Sequence, residues 1–342
     1  SIFGSNKTNE ILRESVGFVS FIRDFLTAEG IEADFAQTGR FRGALKPEHF
    51  DAMARELESL QNACGVEGHM VPRQDQHHET GSVRFHGGVV YEQDGGLHPG
   101  KYHSGLLKNA RAAGVKVIAQ TPVLNIEYGQ GAYDVQTARG SIKVDKVAIC
   151  TNGYTGTPFQ NLRKRILPLR SALLATEELD AEIIDRLMPR RRMYGDSRRI
   201  IAYYRPSPDG KRILFGGRAS GYTENVAHNV RILRNSMAEI FPELATVQLS
   251  HSWSGLVAYT FDHTPHIGQI GGLHFAMGYC GSGVARSSYF GTKLGYKILG
   301  DEERGRTAFD DIPLEGKPLY TGNPWFMPAV LAWHRMADRF GF

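Results

Sequence analysis

LHFAMGYCGSGVARSSYFGTKLGYKIL, running from Leu273 to Leu299, is the stretch on which the fold turns. Leu273–Met277 is a short apolar run of strand length, Gly278 to Gly283 is a glycine loop, and Val284 to Leu299 has helical spacing stopped by Gly300. A strand that passes through such a loop into a helix aims the free N–H groups of the helix's first turn at one point. The macrodipole adds an effective charge of about +0.5 there. That point favours a negatively charged ligand. A tight turn whose glycines serve only close packing fits the same residues, so both readings stay open on this stretch alone.

Upstream lies WSGLVAYTFDHTPHIG, Trp253 to Gly268, which joins an aromatic anchor, a Gly, an Asp and a Pro at fixed offsets. Asp262 before Thr264-Pro265 can close a turn through its side chain, and Gly255 and Gly268 let a flat ligand approach the backbone. The same residues also read as a plain strand, turn and strand. Further upstream, Lys146 to Cys150 (KVAIC) is a buried-type strand running into Thr151-Asn152-Gly153, the kind of strand end where α/β proteins place ligands.

The rest of the chain supplies the frame. Apolar residues at Ile11, Leu12, Val16, Val19, Phe21, Ile22, Phe25 and Leu26 predict one long amphipathic helix over Asn9 to Glu29. Further helices are predicted over Pro47 to Cys64, Pro99 to Ala113, Asp180 to Met188 and Asn225 to Phe241. Strands are predicted at Gly39–Leu45, at Gly87 onward, and at Val115–Ala119, Val123–Tyr128, Tyr133–Thr137 and Ile142–Val144, the last group as a small meander. Leu167–Thr176, Ile200–Arg205 and Ile213–Gly217 read as a separate sheet before the α/β texture returns at Leu273. The pattern is an α/β fold in which one domain is interrupted by another. The aromatic tail after Gly322 is predicted to form a helix beyond Pro328 and to pack on its own domain rather than on a membrane surface.

At 342 residues the chain is long enough for about two domains. Its 41% hydrophobic and 22% charged residues exclude wholesale disorder and a collagen-like repeat, and no long apolar run marks an integral membrane segment. Net charge is only +4, and clusters such as Arg163-Lys164-Arg165 and Arg190-Arg191-Arg192 read as solvated basic faces, so no nucleic-acid partner is expected. Three separated cysteines, Cys64, Cys150 and Cys280, support neither a disulfide framework nor a metal site and fit a reducing cytoplasm. His77-His78, His49 and His86 lack a second ligand pair at fixed spacing, so no metal is expected. The chain starts at Ser1 with no charged and apolar leader, and reads as a fragment without a secretory signal.

Taken together, Trp253 to Gly283, the GGLHPGKY of Gly95 to Tyr102 and the KVAICTNGY of Lys146 to Tyr154 resemble the D-amino acid oxidase family of flavoproteins. Glycine oxidase, monomeric sarcosine oxidase and γ-glutamylputrescine oxidase belong to that family, and the likeness runs from about Ser1 to Gly300. The resemblance implies a discontinuous Rossmann-like FAD-binding domain over residues 1–34, 97–157 and 250–303. It implies an inserted antiparallel-sheet substrate domain over 35–96 and 158–249, leaving 304–342 as a tail. It places Val123 on the adenine side of FAD and Thr151, Asn152 and Gly153 along the cofactor channel. Trp253 and Gly255 lie beside the flavin, and Gly278, Tyr279, Cys280, Gly281, Ser282, Gly283 and Val284 face its pyrimidine ring. Reduced flavin carries negative charge at that ring, which a helix N-terminus stabilises.

The sequence departs from the family pattern in two ways. The G-x-G-x-x-G that holds the FAD pyrophosphate does not occur in it. Where relatives place carboxylate-binding arginines, just after W-x-G-L and inside the glycine loop, this chain has Val257 and Gly281. The position of a substrate-binding lysine holds Ala285, and no cysteine lies in Val257 to Phe261, so noncovalent FAD is expected. An amine, or a substrate held by other residues, is favoured over a simple α-amino acid. The substrate-pocket candidates are Tyr203, Tyr204, Arg205, Arg218 and Tyr259, the arginines as a rebuilt carboxylate clamp. No lysine occurs in Ile213–Gly217, where sarcosine-oxidase-like members activate oxygen, which favours a dehydrogenase with an electron-transfer partner over an oxidase using O2. The expected activity is oxidation of a C–N bond by hydride transfer to flavin N5, with hydrolysis of the imine. The alternatives are a D-amino acid or glycine oxidase whose carboxylate clamp is rebuilt from Arg205 or Arg218, and a truncated, non-catalytic partner subunit.

Overall fold

A computed structural model describes residues 2–217 and 223–340. In chain order the strands are β1 (Arg40–Gly43), β2 (Gly68–Val71), β3 (Gly88–Tyr91), β4 (Val123–Gly129), β5 (Ala132–Thr137), β6 (Gly140–Val144) and β7 (Ala148–Ile149), followed by β8 (Leu167–Thr176), β9 (Met193–Asp196), β10 (Tyr203–Pro206), β11 (Ile213–Gly217), β12 (Leu249–Tyr259), β13 (His266–Ile270) and β14 (Leu273–Met277). The helices are α1 (Ser5–Val16), α2 (Phe18–Ala28), α3 (Pro47–Cys64), α4 (Pro99–Ala112), α5 (Gln160–Arg163), α6 (Ala181–Leu187), α7 (Val226–Ile240), α8 (Gly283–Leu299), α9 (Glu302–Gly305) and α10 (Met327–Phe340).

Eight strands form one large sheet in the order β12-β8-β11-β10-β9-β1-β3-β2, antiparallel except for the parallel pair β1 and β9. Its register lines up one row across the sheet: Trp253, Leu173, Gly216, Tyr203, Gly195, Arg42 and Val89. Successive residues of a strand point to opposite faces. The neighbouring row, with Leu174, Phe215, Tyr204, Tyr194 and Phe41, therefore faces the other way, into a core closed by α6 and α7 through Ile184, Leu187, Leu233 and Met237. The rings of Tyr194, Tyr204 and Phe215 stack at 5.4 and 5.5 Å between centroids. Each such ring, fully buried, contributes about 1.5–3 kcal/mol.

The chain leaves and re-enters this sheet, and two smaller sheets stand beside it. One has the order β13-β14-β7 with β7 parallel to β14, and the other is the meander β4-β5-β6. Helix α8 packs on the first through Phe290 and Leu294, and Phe18 of α2 and Phe309 complete that core. Residues 115–119 form no strand, and Val115, Val117 and Ile118 are exposed. Strand β7 keeps two residues and pairs only with β14 among the described residues. An apolar run becomes a strand only beside a partner edge, and none is offered here.

Other departures from the sequence reading are local. The predicted first helix is two, divided at Gly17. Strand β9 was not anticipated, and β12 pairs along its length with β8 in the large sheet. Arg192 is no solvated cation: it is mostly covered and bonded to Glu79 and Glu92, both at 2.8 Å, and to the Thr38 carbonyl at 2.7 Å. The three cysteines are unpaired, and no described helix is long and apolar enough to cross a membrane.

Candidate functional site

The glycine loop between β14 and α8 is held in place by two neighbours. Gly278 and Gly281 have φ of 78° and 96°, and Cys280 has 52°, a left-handed conformation that suits glycine and strains other residues. A Cβ on Gly278 would run into Thr260 Cγ2, and one on Gly281 would come within 2.9 Å of the Tyr259 hydroxyl. Asn152, itself at φ 45°, accepts the Gly278 N–H through Oδ1 at 3.0 Å, and the Cys280 N–H donates to the Ala258 carbonyl at 3.0 Å. The loop is thus pinned between the end of β12 and the turn that follows β7. No side chain caps the first turn of α8, so its backbone donors remain directed outward.

The Asp262 turn anticipated from sequence supports this loop from behind. Asp262 Oδ1 accepts from the Thr264 N–H at 3.1 Å and pairs with buried His266 at 3.1 Å. Burial pushes the Asp262 carboxyl up, but His266 and the nearby hydrogen bonds outweigh it and hold the group below its usual range. The other ring nitrogen of His266 meets the Ile312 carbonyl at 3.2 Å. Thr260 accepts from the Thr264 N–H at 3.0 Å and donates to its carbonyl at 2.8 Å. These bonds fix the chain where Gly278 must pass closest.

A cleft of about 460 Å³ opens between the large sheet, α1 and α8. That is within the usual size of small-molecule sites. Its sheet wall carries Arg40, Arg42, Tyr91 and Gly195, and its α8 wall carries Arg286 from the first turn after the glycine loop. Arg42 pairs with Glu56 at 3.1 Å and Arg40 with Asp94 at 2.7 Å, the latter also lying over the Tyr91 ring at 4.9 Å. Arg286 donates to the Tyr279 carbonyl at 2.8 Å. Burial pulls its guanidinium below the usual arginine value, against the opposing pull of Cys280 and Tyr259. Burial also pushes the Cys280 thiol up, so it is no ready nucleophile.

The sequence candidates divide along the strand alternation. Tyr203 stands on the cleft face, its ring across Gly216 and its hydroxyl 2.6 Å from Ser171 Oγ. Tyr204 stands on the opposite face, buried among Tyr194, Phe215 and Phe241, away from the cleft. Arg205 is engaged by the Leu97 carbonyl at 2.9 Å and packs on Met193. Arg218 lies outside the described residues. Tyr259 is buried with Leu169 under Met327 and Leu331 of α10, so the tail helix forms a roof beside the loop. Thr151 pairs with Thr155 at 2.8 Å, and Gly153 fits tightly beneath Leu256, where a Cβ would lie 2.9 Å from its carbonyl oxygen. Tyr154 accepts the Leu256 N–H at 3.0 Å and sits against Gly255. Trp253 is half-exposed on the cleft face, and Val123 opens β4 in the separate meander. Ser282 precedes α8, whose first residues are Gly283 and Val284, and Tyr279 is buried in the α8 core.

Sequence reasoning missed Arg40, Arg42 and Arg286. The alternation Arg40-Phe41-Arg42 was a usable signal, since it puts both arginines on one face of a strand and the phenylalanine in the core.

Comparison with known proteins bears on the same residues. The DAO family, described as FAD dependent oxidoreductase, matches residues 5–296. The probable oxidoreductase OrdL of Haemophilus influenzae is 30% identical over 307 residues, covering 88% of this chain and 70% of that protein. Gamma-glutamylputrescine oxidoreductase of Escherichia coli is 24% identical over 325 residues, covering 94% and 75%. Among solved structures, glycine oxidase from Geobacillus kaustophilus superposes with a TM-score of 0.75 at 19% identity, covering 88% of this chain and 81% of that one.

Proposed function

The chain belongs to the DAO family of FAD-dependent oxidoreductases, which act on amines and amino acids, and from that premise we propose that it oxidises a C–N bond with noncovalently held FAD. Bound FAD supplies the two-electron acceptor for the substrate amine. The product is an imine, which water hydrolyses to a carbonyl compound and ammonia or a smaller amine. The observation that carries this reading is the pinned glycine loop with the uncapped first turn of α8, open at Gly283, beside a ligand-sized cleft.

The residues present fit a flavin. The loop glycines leave room that side chains would fill, and the outward N–H groups would stabilise negative charge on a bound flavin. Asn152 keeps the loop in register with β7, Gly255 leaves the β12 backbone open beside Tyr154, and the Tyr259 side chain under α10 excludes water from one flank. In this reading residues 1–34, 97–157 and 250–303 hold the cofactor and the large sheet presents the substrate, with β12, an edge strand of that sheet, shared between the two. The thiols, all unpaired, suit a cytoplasmic enzyme. With no lysine on β11, a dehydrogenase handing electrons to a protein partner is favoured over an oxidase.

The test is anaerobic addition of a panel of amines and amino acids to the FAD-loaded protein, followed by its visible spectrum. Bleaching by some members, with release of the matching carbonyl compound, is the expected result. Bleaching by none overturns the reading, and rapid hydrogen peroxide release in air overturns the dehydrogenase assignment.

A further inference from the structure

A second cavity, of about 740 Å³, lies between α7, α10 and the turns that follow β1 and β9. It too has the size of a small-molecule site, and it shares no lining residue with the cleft beside the glycine loop. Leu45, Ile200, Ile232 and Ile240 give it an apolar side. Its charged groups are of both signs, and their pairings leave one sign over. Arg198 is held by Asp196, Nε to Oδ2 at 2.7 Å, and by Glu239 at 3.2 Å. Asp338 of α10 accepts the backbone N–H groups of Arg199 at 3.0 Å and Ile200 at 3.4 Å. The acids of the lining are thus engaged, whereas Lys46 and Arg84 pair with no carboxylate among the described residues. His49 adds an uncharged donor. Ser197 Oγ accepts the Leu45 N–H at 3.0 Å and lies 2.6 Å from His49 Nδ1. Burial, with Lys46 nearby, pulls the His49 ring below the usual histidine range against Glu48 and Asp338, so it is neutral at neutral pH. With the Leu45 N–H already on the Ser197 oxygen, the hydroxyl proton goes to Nδ1 and the ring's own proton sits on Nε2.

We propose that this cavity binds a small organic phosphate, a phosphate monoester on an apolar body, at a site separate from the cleft. Lys46 and Arg84 together match a group that carries about two negative charges at neutral pH. A single carboxylate would leave one of them over. Lysine meets a phosphate as a point charge and arginine as a fork, so the two hold different oxygens. His49 Nε2 and the Ser236 hydroxyl are donors for what remains, and the leucine and isoleucines receive the ester's apolar body. The site does not depend on which amine the enzyme oxidises.

The experiment is isothermal titration of the FAD-loaded protein with phenyl phosphate, and with phenol and inorganic phosphate as its two halves. The expected result is a single site for phenyl phosphate, about 10-fold tighter than for inorganic phosphate, with no heat from phenol and an unchanged flavin spectrum. Lys46→Met and Arg84→Met are each expected to weaken phenyl phosphate about 10-fold at unaltered melting temperature, since neither side chain gives up an ion pair among the described residues. Ser236→Trp, which puts an indole into the cavity, is expected to abolish binding, and Arg286→Met, in the other cleft, to leave it unchanged. Absence of phenyl phosphate binding overturns the proposal, as does equal affinity for inorganic phosphate or for phenol. So does binding that persists in the Lys46→Met/Arg84→Met double variant or in Ser236→Trp, or that is lost in Arg286→Met or displaces FAD.

Discussion

The large sheet and the small β13-β14-β7 sheet are built from similar residues and differ in how they are finished. The large one has eight strands, and its core face is sealed by α6 and α7 over rings that water does not reach. The small one has three strands, one of them two residues long. The first holds itself together by burial. The second spends its best-defined geometry on a loop of strained and glycine residues facing outward. Stability and site geometry are separated in this molecule, which is the arrangement expected when a rigid scaffold presents a ligand to a bound cofactor.

Substitutions in the two regions should therefore part company. Phe215→Ala, at a site with no exposure, is expected to cost about 3–5 kcal/mol in urea unfolding, with and without FAD alike. A loss that FAD fully restores would break the division. Gly278→Val, forced into a positive φ against Thr260, is expected to cost about 1–3 kcal/mol and to abolish most FAD binding by fluorescence titration. Unchanged FAD affinity would remove the loop from the cofactor site. Asn152→Ala leaves the Gly278 N–H without its acceptor, about 1–2 kcal/mol, and should weaken FAD more than it lowers the melting temperature of the FAD-free protein. The smallest effect is reserved for Val117→Lys, expected within about 0.5 kcal/mol of the parent because the side chain is exposed. A cost above about 1 kcal/mol would mean that this face is covered in solution.

The same contrast explains what could be read in the sequence. The change of period across Met277 and Gly278, from strand to helix spacing, showed β14, the loop and α8 nearly to the residue because the signal is local. Helix α3 was equally plain, opened by Pro47 and closed by Gly65 at φ 69°. The strand predicted at Val115–Ala119 failed because strand formation depends on a neighbour that no local pattern reveals. Tyr203 and Tyr204 were given one role although alternation puts them on opposite faces, and only the register showed which one shares the face of Gly195 and Arg42. Arg286 sat inside the stretch that was read most closely. That it bonds to the Tyr279 carbonyl and to no acid among the described residues is a tertiary fact that the spacing of residues does not carry.

The central claim is that these residues bind FAD and bind it without a covalent bond. The most direct measurement is the absorbance spectrum of the purified protein before and after acid precipitation. Flavin bands that pass wholly into the supernatant are the expected result. Colour retained in the pellet would contradict the noncovalent site, and a colourless protein that added FAD cannot reconstitute would contradict the cofactor site altogether and favour a non-catalytic subunit.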